Sequence, residues 1–103
     1  VRPLMAAMAD AYRFAPNAFD EDPVVAFKRN IFVHPFHEEN PLALAEAIGV
    51  DHVLFGSDYP HPEGLADPIT FVDDLKGFSS DDVAKIMGGN LARLMKVENT
   101  KVA

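Results

Sequence analysis

The 103 residues predict a parallel α/β fold, with two adjacent parallel strands and four or five helices around them. Three observations lead there. Ile31–Phe36 and His52–Gly56 are short apolar runs rich in β-branched and aromatic residues, the composition of strands. Between them lie Asn40-Pro41, a helix start, and Gly49, a helix stop. Two strands joined through a helical crossover of 15 residues, 37–51, must run parallel.

Taken in order, the chain opens on a helix. Pro3 suits a first turn, and Leu4, Met8 and Tyr12 recur every four residues with Met5 beside them. Pro16 disfavours helical geometry at Ala15, so this helix should end near Phe14. Residues 15–22 are loop-like. Asp22-Pro23 then reads as a cap followed by a first-turn proline, starting a short helix through Lys28. Pro35 has no amide hydrogen and should mark the C-terminal end of the first strand. In the crossover helix Leu42, Ala45 and Ile48 supply the apolar face. His52–Gly56 is apolar on consecutive residues, the habit of a strand buried on both faces.

A turn-rich stretch from Ser57 to Ala66 follows, with Pro60, Pro62 and Gly64. Asp67-Pro68 repeats the cap-and-proline start for a helix over Asp67–Lys76, with Phe71, Val72 and Leu75 inward and Gly77 at its end. Ser79-x-x-Asp82 is an acidic variant of the capping box, ahead of a helix over Ser80–Gly88 that buries Val83, Ile86 and Met87. Asn90 is placed to cap a last helix carrying Leu91, Leu94 and Met95.

A two-stranded parallel sheet has two open edges and needs cover on both faces. The expected resolution is that these residues form the C-terminal part of a larger parallel α/β protein. The start, Val1-Arg2-Pro3, has neither an initiator Met nor a signal-peptide layout, which agrees with a chain cut from something longer. Nine Lys and Arg against sixteen Asp and Glu give a net charge of −7, with only Lys28-Arg29 adjacent, so nucleic acid is excluded as a partner. There is no cysteine, hence no disulfide framework, thiolate metal site or cysteine nucleophile. No apolar run has the roughly 18 residues needed to cross a bilayer, so no membrane is expected, and the lack of cysteine fits a reducing cytoplasm.

Chemistry concentrates in Gly56-Ser57-Asp58-Tyr59-Pro60-His61-Pro62-Glu63-Gly64. Asp58 follows the second strand at its C-terminal end, the edge where parallel α/β folds build active sites. Alternation along the strand puts Leu54, Gly56 and Asp58 on one face and Val53 and Phe55 on the other. The missing side chain of Gly56 should leave room for an ion or substrate beneath the carboxylate. That carboxylate could ligate a divalent cation or accept a proton, and a turn cap is the structural alternative. His61 could bind substrate or assist proton transfer. His34 and His37 resemble a metal pair, but their odd spacing sends them to opposite faces of a strand, leaving His34 as a residue that lines the site.

Three stretches together resemble the C-terminal end of the amidohydrolase-related family. They are NIFVHPF (30–36), IGVDHVLFGSDYPHPEG (48–64) and IMGGNLARLM (86–95). This is the branch of the amidohydrolase superfamily that includes aminocarboxymuconate-semialdehyde decarboxylase and related decarboxylases and hydrolases. The resemblance implies that residues 1–103 form the C-terminal portion of a single (β/α)₈ TIM barrel domain, its last two βα units. It implies that Asp58 is both metal ligand and proton shuttle. The family's first-strand His-x-His pair has no counterpart here, so these residues alone should not hold a catalytic metal.

The resulting expectation is a metal-dependent hydrolase or carboxy-lyase acting on a small carboxylated or cyclic substrate. Its cofactor would be a divalent metal, Zn²⁺ first. His61, Tyr59, His34 and Phe36 would line the substrate mouth, and the remainder of the barrel or a homo-oligomer partner would complete the fold. The alternative is a non-catalytic module of the same descent, its sheet edges paired with another chain.

Overall fold

The computed structural model describes residues 1–35 and 40–97. They fall into two units, residues 1–32 and residues 33 onward.

In the first unit, α1 runs Arg2–Phe14 and α2 runs Pro23–Asn30, with a 3₁₀ turn at Pro16–Ala18 between them. The expected stops and starts hold. Ala15 leaves helical geometry ahead of Pro16, and the Asp22 carboxylate accepts the Val24 amide at 2.9 Å to cap α2. α2 runs two residues past the expected Lys28. The loop is held by Tyr12 and Phe19, stacked edge to face at 5.9 Å, and by the paired charges of Arg29 and Glu21.

The second unit contains the crossover. Asn40 caps α3 (Pro41–Ile48) by accepting the Leu42 and Ala43 amides at 3.0 and 3.3 Å, and Gly49 closes it at φ +89°. Its buried stripe is Leu44 and Ile48, whereas Leu42 is exposed, so the inward face is rotated from the one expected. Leu42 lies instead beside Gly77, where a Cβ would stand 3.1 Å from Leu42 Cδ1.

Among the described residues the two expected strands are represented by one parallel bridge, Val33 with Val53. Val33 N donates to His52 O at 2.9 Å and Leu54 N to Val33 O at 2.8 Å, the slanted pattern of a parallel pair. The direction agrees with the sequence, but no strand forms among the described residues. On one side Val50–His52 coils into a 3₁₀ turn, so the backbone is not extended there. On the other, Pro35 has no amide hydrogen for the next rung of the ladder.

Beyond the site loop, Pro68–Leu75 is helical, although wound as 3₁₀ rather than α, with Phe71 and Leu75 buried and Val72 outside. Thr70 supplies a reason for the tighter winding. Both its amide and its hydroxyl donate to Asp67 O, at 3.0 and 2.6 Å, engaging that carbonyl at the three-residue spacing. Asp67 caps nothing with its side chain. α4 (Ser80–Ala84) is capped by Ser79 as expected, then passes into a π turn at Lys85–Gly89 that breaks at Gly88 before α5 (Asn90–Leu94). Of the expected inward residues on this stretch, Ile86 is buried while Val83 and Met87 are half-buried.

Candidate functional site

The site grows from the chain that leaves the Val33–Val53 bridge. Val53 is wholly buried, and Phe55 stacks edge to face on Phe71 with ring centroids 5.2 Å apart. These odd-numbered residues therefore face the core. Gly56 faces the other way, and there the structure corrects an expectation. The volume over Gly56 is already filled, since a Cβ built on it would fall 2.5 Å from His34 Nδ1. His34 thus lies against the chain at Gly56, two residues before Asp58, and its own side is open to solvent.

From Ser57 the chain closes into a compact loop. Ser57 O accepts the Leu65 amide at 2.8 Å, Asp58 O accepts the His61 amide at 2.9 Å, and His61 O accepts the Gly64 amide at 2.9 Å. Ser57 Oγ accepts the Tyr59 amide at 3.2 Å, and the Tyr59–Pro60 peptide is cis. Asp58 sits at φ +55°, in the left-handed region that residues with side chains seldom occupy.

Within this loop His61 Nδ1 lies 3.7 Å from Asp58 Oδ1 and 3.7 Å from Glu63 Oε1. The Asp58 side chain is 31% exposed, against 65% for His61 and 56% for Glu63. Asp58 and His61 are thus brought together. Tyr59 projects beside them, 62% exposed. Phe36 and His37 lie outside the described residues. Glu63 was missed by sequence reasoning, because five residues from Asp58 implies proximity only once the loop has closed.

The donor set suits a divalent cation. One ligand atom from each of Asp58, His61 and Glu63 lies within 4.8 Å of the other two. Zinc–ligand bonds of about 2.0–2.1 Å set neighbouring donors of a tetrahedral shell about 3.3 Å apart, so small side-chain movements close the gap. Two carboxylates and an imidazole are also donor types that zinc accepts.

The base of the segment is held from behind. Asn90, wholly buried, donates through Nδ2 to Val50 O and Val53 O, both at 2.8 Å. Arg93 bridges its Oδ1, at 3.3 Å, to Asp51 O, at 2.9 Å. Lys85 pairs with the Asp51 carboxylate at 3.0 Å, which holds that carboxyl below its usual range. Asn90 was expected to cap α5; it ties the helix to the start of the Asp58 segment instead. Its residue type did signal a polar role, but its partners lie 37 and 40 residues away.

Known proteins resemble this chain in sequence and fold. The family profile described as Amidohydrolase matches residues 3–97. A crystal structure of an amidohydrolase from Mycobacterium avium subsp. paratuberculosis superimposes with a TM-score of 0.87 at 44% identity, over 91% of this chain and 24% of that one. The dipeptidase tcpJ of Claviceps purpurea is 32% identical over 92 residues, 81% of this chain and 20% of its own length. The chain therefore spans about a quarter or less of either relative.

Proposed function

The chain belongs to the amidohydrolase family, and from that premise we propose that it forms the C-terminal portion of a (β/α)₈ barrel in a metal-dependent hydrolase, with Asp58 at the metal. One observation carries the reading. Asp58 stands just beyond a parallel-paired segment, in a backbone conformation that a side-chain residue rarely adopts, with an imidazole and a second carboxylate beside it. Local strain of this kind concentrates at functional sites.

When bound, a divalent cation, Zn²⁺ first, supplies Lewis acidity and lowers the pKa of water. Asp58 offers one carboxylate oxygen as ligand and the other as proton acceptor. His61, 3.7 Å from both Asp58 and Glu63 and largely exposed, is placed to meet a substrate at the mouth. His34 and Tyr59 line the mouth. The remaining ligands and strands come from the rest of the barrel, in the same polypeptide or a second copy.

The substrate is a small carboxylated molecule, and a dipeptide, which ends in a carboxylate, fits that class. Hydrolysis is preferred to decarboxylation because both named relatives are described by hydrolytic activities. In the enzyme carrying this segment, Asp58→Asn should abolish turnover and weaken Zn²⁺ binding in equilibrium dialysis, with far-UV circular dichroism unchanged. An active Asp58→Asn enzyme would remove Asp58 from the mechanism. Release of CO₂ rather than free amine from carboxylated amides would move the assignment to a carboxy-lyase.

A further inference from the structure

We infer that Gly64 is a positioning residue for Asp58, its bare α-carbon being what allows the Asp58 backbone to keep its left-handed turn. The inference rests on the reading of Asp58 as a metal ligand. A Cβ on Gly64 would stand 2.7 Å from Ser57 O, 2.6 Å from Asp58 C and closer still to Asp58 O. All three are backbone atoms, so no change of rotamer relieves the clash.

The requirement at Gly64 is for space and not for an unusual dihedral. The glycines with positive φ are Gly49 and Gly77, whereas the left-handed residue in this loop is Asp58 itself. Three backbone hydrogen bonds draw residue 64 inward: Leu65 N to Ser57 O, His61 N to Asp58 O and Gly64 N to His61 O. With the loop closed this way, position 64 rests against the Asp58 carbonyl. A side chain there must either break the closure or turn the peptide plane after Asp58. Turning that plane swings the Asp58 carboxylate away from His61 and Glu63.

The test measures Zn²⁺ affinity by equilibrium dialysis, per folded molecule, in the enzyme carrying this segment. Gly64→Ala should bind at least about tenfold more weakly, within the range of about 10–100-fold typical for residues that orient a metal ligand. Gly64→Ser should lose as much, since the first carbon makes the clash. Gly88→Ala, whose Cβ would meet nothing within 4 Å, should bind as the wild type does. A merely structural role would lower Tm while leaving the affinity of folded molecules intact, so wild-type affinity in folded Gly64→Ala overturns the inference. Should Gly64→Ala not fold, the dialysis is repeated in a stabilising osmolyte below its Tm. Failure to fold there too would make the role of Gly64 structural and overturn the inference. Asp58→Asn runs alongside: if it keeps full affinity, the ligand reading itself falls, whatever Gly64 does.

Discussion

His34 and Gly56 divide one volume between them, and that division is the most informative contact at the scale of single residues. The imidazole lies where any side chain at position 56 would begin. Gly56→Ala must therefore push His34 aside, and because His34 is open to solvent it can move at little cost. Stability should fall by no more than the low end of the about 1–3 kcal/mol typical of overpacking. In the enzyme, KM should rise several-fold while kcat changes less, since His34 is assigned to the substrate and not to the cation. Steady-state kinetics with thermal melts checks this, and an unchanged KM would take His34 out of the mouth. Sequence reasoning found the glycine and its face but read the space as empty. A contact across 22 positions leaves no trace in local spacing, so the occupant stayed hidden.

At the scale of elements, what could be read in advance was whatever short-range chemistry decides. The caps at Asp22, Asn40 and Ser79, and the glycine stop at Gly49, are local devices and were legible. The strand lengths were less legible, because a parallel ladder depends on a distant partner; among the described residues a 3₁₀ turn and Pro35 flank one bridge. Asn90 marks the same boundary. As a cap it would be worth about 1 kcal/mol; as the buried tie between α5 and the Val50–Val53 carbonyls it should be worth more. Asn90→Ala should lower unfolding free energy by about 2–4 kcal/mol, since buried carbonyls lose their donor. Asn90→Asp should cost more still, by placing a carboxylate against those same carbonyl oxygens. Urea denaturation of both variants checks the order. A loss of under about 0.5 kcal/mol for Asn90→Ala would show that the tie is not a main support of this unit.

For the whole molecule the dominant quantity is charge. With a net −7, the acidic groups that are paired with cations are the ones that make stability follow pH. Lys85 lowers the Asp51 carboxyl below its ordinary 3.8, and Arg29 lowers Glu21 below its ordinary 4.5. A carboxyl whose folded pKa is depressed stabilises the fold above its unfolded pKa and loses that contribution as pH falls through the folded value. Both pairs therefore contribute fully at neutral pH and fade in acid. The Asp51–Lys85 pair is half exposed, with side chains 54% and 44% accessible, so screening keeps its share below about 1 kcal/mol. Lys85→Met isolates it. Wild type should exceed this variant in unfolding free energy near neutrality, with the gap closing as pH drops below about 4, the range where unpaired carboxyls protonate. Urea titrations from neutral pH down to about pH 2.5 measure that gap directly. A gap that stays constant across the range would mean that Lys85 acts by packing its stem beside Ile86 and the π turn, and not through its charge on Asp51.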